Sequence, residues 1–288
     1  MSDVSLTQGW EAFFLGFTVT LCMYGITLGQ VGFYIRSFPC DPKALKIMVL
    51  TLITMDTFHS YGLLVYVRQL FVSCHRNAAP ACLAYLPWQA FMTLGLSYST
   101  IFFVQSFYAH RVWIISSGNK WITFAVSATT CVQYVFGMWC MVESLQTRTL
   151  LAVYKSLPKC GTASGMGTFC DILITASFFY YLSPQRTGVK RAATPIQQLL
   201  HVVVTTGLFT CLLSMIMFIS YLTQIDTAYM IGPPGQALSK SYINSMLAVL
   251  NARRSIREHS RHSRVTYRLS TIALSTVGAP SRESLGLP

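Results

Sequence analysis

The stretch Ser239-Lys-Ser-Tyr-Ile-Asn-Ser-Met-Leu-Ala-Val-Leu-Asn-Ala-Arg-Arg-Ser-Ile-Arg257 starts as a half-polar run and ends, within one turn, in a cluster of arginines. Such a change marks the point where a helical chain leaves a lipid bilayer, on the side that tolerates positive charge. With that exit fixed, the remaining apolar runs can be threaded back from it.

Composition supports a membrane chain. Of 288 residues, 53% are hydrophobic and only 10% are charged, whereas soluble domains carry roughly 25% charged residues. Most of this chain therefore cannot face water. Lys and Arg number 21 against 9 acids, an excess that can signal nucleic acid. Here the basic residues lie between apolar runs and in the tail, so the positive-inside rule accounts for them and no nucleic-acid partner is expected. The first ten residues lack the basic segment of a cleavable signal, so the first apolar run is expected to remain as an anchor. No Asn-x-Ser/Thr glycosylation acceptor occurs.

Seven apolar runs reach the roughly 20 residues needed to cross a hydrocarbon core. The pattern predicts spans at about 10–34, 46–70, 87–112, 120–143, 164–183, 196–222 and 228–252, followed by a basic juxtamembrane segment and disordered tail over 253–288. The expected fold class is all-α, a polytopic seven-transmembrane helix bundle. Trp10, Trp88, Trp113, Trp121 and Trp139 fall near predicted span ends, where indole favours the headgroup zone.

Orientation follows from Lys and Arg outside the spans. Five lie on one side (Arg68, Arg76, Arg148, Lys155, Lys159) and fifteen on the other, namely Arg36, Lys43, Lys46, Arg111, Lys120, Arg186, Lys190, Arg191 and seven tail arginines. That imbalance predicts an outside N-terminus and a cytosolic C-terminus, in the plasma membrane or an endomembrane.

Several residues stand out inside the spans. Asp56-Thr-Phe-His59 sits near mid-membrane in span two, with carboxyl and imidazole on one helix face. An acid at helix centre costs about 2.5–3.5 kcal/mol on insertion scales, so Asp56 should face the bundle interior. Asp171 in span five carries the same argument. Span seven follows Gly232-Pro-Pro-Gly235 and contains Lys240, Tyr242 and Asn244, too polar to face lipid. Asp56, His59, Asp171, Lys240, Tyr242 and Asn244 form the candidate polar core, with Lys240 expected to pair with Asp56 or Asp171. A structural clamp and a ligand, ion or proton site are both open readings. A lone Lys in a seventh helix also admits, on one residue, an opsin-like linkage.

Gly25-x-x-x-Gly29, followed by Gly32, permits close helix approach. Packing within the bundle is the plain reading and oligomerisation through Gly25 and Gly29 the sharper one. Cys74, Cys82 and Cys160 lie on the expected outer side, where Cys160 can pair with Cys74 or Cys82. Cys22, Cys131, Cys140, Cys170 and Cys211 read as small apolar fillers. His110-Arg111 closes span three as a topology anchor. In the tail, Arg253, Arg257, Arg261, Arg264 and Arg268 share one helical stripe, suited to lying on anionic inner-leaflet lipid. Ser260 and Ser270 lie among them, where phosphorylation would weaken that attraction.

The chain resembles a large family of fungal, mainly basidiomycete, seven-helix membrane proteins known only as a domain of unknown function. The resemblance covers about residues 10–257. It rests on Asp56-Thr-Phe-His59, on Phe107-Tyr-Ala-His-Arg-Val-Trp113, on Asp171 followed by Arg186-Thr-Gly-Val-Lys-Arg191, and above all on Tyr242-Ile-Asn-Ser-Met-Leu-Ala-Val-Leu-Asn-Ala-Arg253. The sequence departs from that family at Gly232-Pro-Pro-Gly235, where a more apolar run is usual. The resemblance implies topology and a fungal membrane setting, and no established activity.

Three functional readings compete. A receptor-like or sensory protein fits seven spans, a polar centre and a basic inner tail, although span seven lacks an Asn-Pro-x-x-Tyr switch. A proton- or ion-coupled transporter or channel would use Asp56, His59, Asp171 and Lys240 as a relay, without the internal repeat common in transporters. A membrane-embedded hydrolase would need converging His and Asp ligands. Here His59 lies mid-membrane while His110 and His201 lie near the inner face. No His-Glu-x-x-His, Gly-x-Ser-x-Gly or phosphate-loop motif occurs, so no catalytic residue, metal or cofactor is expected.

Overall fold

The structure, a computed structural model, describes residues 3–74, 86–148, 157–183, 193–223 and 235–255, with side chains except at 3–12, 74, 147, 157 and 193–200. Among the described residues every regular element is helical. The helices are α1 (Asp3–Ser37), α2 (Lys43–Arg68), α3 (Trp88–Ile115), α4 (Lys120–Thr147), α5 (Leu157–Leu182) and α6 (Ala193–Thr223). A seventh, α7, covers 235–255. α2 runs on through a π-helical stretch, Gln69–Cys74.

Six of these helices are long and apolar enough to cross a membrane, over Phe13–Ser37, Lys43–Ser73, Trp88–Ile115, Lys120–Gln146, Pro158–Leu182 and His201–Thr223. α7 is the polar exception. The outer surface explains what solvent the fold needs. Leu15, Ile26, Ile35, Leu50, Phe58, Phe124, Phe179, Leu208 and Leu222 are all more than half exposed, and Trp121 is 85% exposed. Water would penalise such a continuous apolar exterior, whereas lipid tails solvate it. The chain is a multi-pass membrane protein with an inverted polarity: leucines outside and charged groups within.

Consecutive helices pack side by side from α1 to α6, and α3 also touches α5. α7 closes the bundle. From Ala237 to Leu250 every residue is buried except Asn244 and Ala248, which are half-buried. Ile243, Met246, Leu247 and Leu250 join Val104, Val112, Val126 and Leu52 in the main apolar core. A helix covered on all sides has no solvent-facing stripe. Its polar groups must then find partners inside.

The helix ends differ from the sequence expectation in physical ways. α5 begins at Leu157 instead of near 164, because Lys159 pairs with Glu143 at 2.5 Å and lies over the Trp139 ring at 4.7 Å. Those contacts hold the extra turns against α4. α7 is helical over its described residues from 235, and residues 228–234 of the expected seventh span, with Pro233 and Pro234, lie outside the described residues.

Two expectations about small residues are corrected. A Cβ at Gly25, Gly29 or Gly32 would meet nothing within 4 Å, so this stripe does not pack within the bundle; it lies open on the outside of α1. Close helix approach comes instead from glycines that the sequence reading left aside. A Cβ at Gly165 would strike Phe218 at 2.7 Å, and one at Gly137 would run into the Tyr98 ring. Cys140 is not an apolar filler: it is disulfide-bonded to Cys160, with Cα atoms 5.9 Å apart, inside the usual range for a bridge. The helical extension of α5 carries Cys160 against α4, so its partner is Cys140 and not Cys74 or Cys82 as expected. Cys82 and the side chain of Cys74 lie outside the described residues.

Candidate functional site

α7 presents polar side chains on two nearly opposite faces. Lys240 and Tyr242 are two residues apart, or about 200° around a helix. Each reaches a different intramembrane acid.

On the first face the Lys240 ammonium, 0% exposed, forms an ion pair with Asp56, 1% exposed. Besides Asp56 Oδ1 it donates to the Asp56 carbonyl at 3.0 Å and to Ser60 Oγ at 2.6 Å. All three ammonium protons are used. Ser60 in turn donates to the Asp56 carbonyl at 2.8 Å, and the Tyr24 ring lies 5.0 Å from Nζ, a cation–π distance. Asp56 and Ser60 are four residues apart on α2, which is why one ammonium can bridge them. Further along this face Asn244 donates to the Met23 carbonyl at 3.2 Å and accepts from Thr27 at 3.3 Å. Asn251 donates to the Gln30 carbonyl at 3.0 Å. Positions 240, 244 and 251 make one helical stripe, locked to α1 and α2.

On the second face Tyr242 OH donates to Asp171 Oδ2 at 2.5 Å. Gln105 donates to Asp171 Oδ1 at 3.2 Å, and Ser214 donates to Oδ2 at 3.3 Å. Asp171 is thus held by hydroxyl and amide donors from α3, α6 and α7, with no cation in the set. Tyr108 and Ser245 share a hydrogen bond of 2.9 Å beside it.

The sequence-derived residues therefore divide. Asp56, Lys240 and Asn244 face α1 and α2, while Asp171 and Tyr242 face α3, α5 and α6. His59 is buried near Lys240, but its Nδ1 has no partner, and neither do Asp56 Oδ2 and Ser239 Oγ. Gln105, Ser214 and Ser60 were not singled out as site residues in the sequence, and Tyr108 entered only within the stretch that closes span three. A lone Gln or Ser in an apolar run carries no periodic signal, and only its placement opposite an acid makes it functional. Among the described residues no three His, Cys, Asp or Glu side chains converge as a metal set.

At the far end of α7, Arg253 does not face lipid as the stripe reading expects. It donates to Asp41 at 2.6 Å and lies 4.4 Å from the Phe38 ring. Tyr34 donates to the same carboxylate at 3.0 Å, and Arg254 donates to Ser37 at 3.0 Å. The acid in the short α1–α2 connection captures the first arginine in the last turn of α7. Arg257, Arg261, Arg264 and Arg268, with Ser260 and Ser270, lie outside the described residues. Arg111 turns toward Phe107, 5.1 Å from the ring centroid, whereas His110 is exposed on the outside of α3.

Comparison with known proteins supports one part of the resemblance, a domain of unknown function, over residues 167–255. No curated protein and no solved structure matches the chain. Residues 167–255, which run from α5 to the end of α7 and contain Asp171, Lys240, Tyr242 and Arg253, are similar to a family described as "Family of unknown function (DUF6534)".

Proposed function

We propose that the chain is a seven-span, receptor-like membrane protein, N-terminus outside and basic end in the cytosol, in which α7 is the moving part. The observation that carries this reading is the buried Lys240–Asp56–Ser60 cluster, in which every ammonium proton is used. A buried ion pair is a weak device for stability, because desolvating two charges offsets most of their attraction. Its better-attested use is to specify register or hold one of two states. Here the pair joins the helix that ends in the arginine cluster to α2, and Arg253–Asp41 repeats the connection at the expected cytosolic end. Releasing the inner pair would free α7 to shift and present its basic end to a partner.

The test uses Asp56→Asn/Lys240→Met in lipid nanodiscs, a pair that keeps volume and removes both charges. A switch predicts a folded double variant whose Arg253–Arg254 site is cleaved by trypsin at least fivefold faster than in the parent protein. Equal cleavage rates would reduce the cluster to a clamp.

A second reading is favoured by three buried atoms without partners, Asp56 Oδ2, His59 Nδ1 and Ser239 Oγ, which suit a proton-coupled transporter. Proton flux into liposomes carrying the protein, lost in His59→Phe, would support it over the receptor. The open glycine face of α1 supports a further part of the proposal, self-association through Gly25 and Gly29.

A further inference from the structure

α3 and α4 run antiparallel, joined by a tight turn in which Ser117 and Gly118 take left-handed backbone (φ 55° and 83°) and Asn119 caps α4 by accepting from Trp121 N at 3.1 Å. Far from this turn the pair is pressed together. A Cβ at Gly95 would strike Met141 at 2.5 Å, and the Phe102 and Tyr134 rings meet at 4.8 Å. Toward the turn the helices separate and leave a cavity of about 270 Å³, lined by Phe102, Ser106, His110, Trp113, Thr123 and Ser127 among others. Its lining includes the exposed Ser106, His110, Trp113 and Ser127, so it reaches the outer surface of the bundle.

The lining is unusual for a lipid-facing surface. Other exposed hydroxyls, such as Thr54, Thr57, Thr123 and Ser220, return to the carbonyl four residues back. Ser106, Ser127 and His110 are exposed and make no hydrogen bond with any described residue. Ser106 and His110 are one turn apart on α3, and Ser127 reaches the same cavity from α4. Acyl chains offer Ser106 and Ser127 neither donors nor acceptors, and polar groups left unsatisfied in hydrocarbon are costly, while His110 lies nearer the inner end of α3. No Lys, Arg, Asp or Glu lines the cavity, so nothing there recognises a charged headgroup. The polar groups are flanked by aromatic rings, Trp113 toward the turn and Phe102 one turn further from it than Ser106, where a flat ring can lie against a fused-ring frame. The volume lies just below the usual small-molecule pocket range of about 300–1,000 Å³, which fits a ligand only partly inserted from the bilayer.

We propose that the α3–α4 groove is a sterol site, in which Ser106, His110 and Ser127 take the single hydroxyl of a membrane sterol at the end nearer the turn and its ring system runs from there over Phe102, away from the turn. The site is separate from the α7 clusters and needs only that the chain lie in a membrane.

The full chain in phosphatidylcholine nanodiscs, photolabelled with a diazirine-bearing cholesterol, tests this. Label is expected in peptides covering 102–113 and 123–131, falling at least fivefold with excess cholesterol and unchanged by excess cholestane, which has the same rings and no hydroxyl. Ser127→Phe should lower the label at least fivefold while helical circular dichroism is retained. If that variant fails to fold, Ser106→Ala/Ser127→Ala should lower it at least threefold. Label spread evenly over all helices, competition by cholestane equal to that by cholesterol, equal labelling of the same peptides by a photoreactive phospholipid, or cholesterol-insensitive crosslinks to a second copy through these peptides would each overturn the proposal.

Discussion

Lys240 directs all its N–H groups into α2, so its two neighbours of opposite role, Asp56 and Ser60, stand or fall with it. Removing one partner strands the other. Lys240→Met alone leaves a buried carboxylate without its cation and should cost about 3–5 kcal/mol. Asp56→Asn/Lys240→Met should recover most of that loss, and thermal unfolding in detergent with a double-mutant cycle gives the coupling. Additive losses would mean that the two side chains do not pair. Tyr242→Phe takes the shortest donor from Asp171 and should cost about 1–3 kcal/mol, the usual penalty for an orphaned buried acceptor. Asp56, Asp171 and Lys240 were legible in the sequence because a charge inside an apolar run is conspicuous. Gln105 and Ser214 were not, because an isolated uncharged polar residue is tolerated almost anywhere in a membrane helix.

At the scale of elements, glycines separate into two kinds. Gly137 on α4 faces the Tyr98 ring of α3 with no room for a Cβ, whereas Gly29 on α1 faces open space. Gly137→Ala should therefore destabilise by about 1–3 kcal/mol through overpacking. Gly29→Ala should be neutral or stabilise the monomer by up to about 1 kcal/mol through helix propensity. The same unfolding assay distinguishes them, and a destabilising Gly29→Ala would point to a partner on that face. Spacing alone cannot make this distinction. Gly-x-x-x-Gly says that a helix can be approached closely, but the neighbour is chosen by how the bundle closes. α7 shows the converse. Its half-polar composition marked it as interior, yet the division into an α2-facing stripe and an α5-facing stripe depends on which helices flank it.

For the whole molecule, the apolar exterior of α1 to α6 makes lipid the only solvent that leaves no large penalty. The proposed topology predicts that a tag after residue 288 is reached by antibody only after cells are permeabilised. A cysteine introduced as Ser2→Cys, in a variant whose Cys22, Cys40, Cys74, Cys82, Cys131, Cys170 and Cys211 are replaced by Ser or Ala, should react with a membrane-impermeant maleimide from outside. An exposed C-terminal tag on intact cells would reverse the orientation. The sequence by itself determined that the chain is helical and membrane-borne, and that acids and a lysine inside it must be sheltered. Those conclusions follow from run length and from the cost of charge in hydrocarbon, both local properties. Only the tertiary structure decided that Lys240 meets Asp56 and not Asp171, that Cys160 meets Cys140, and that Arg253 turns back to Asp41. Each of these pairs joins residues far apart in the chain, two of them across separate helices and one from a helix to a loop, and which segments become neighbours is set by packing over the entire bundle.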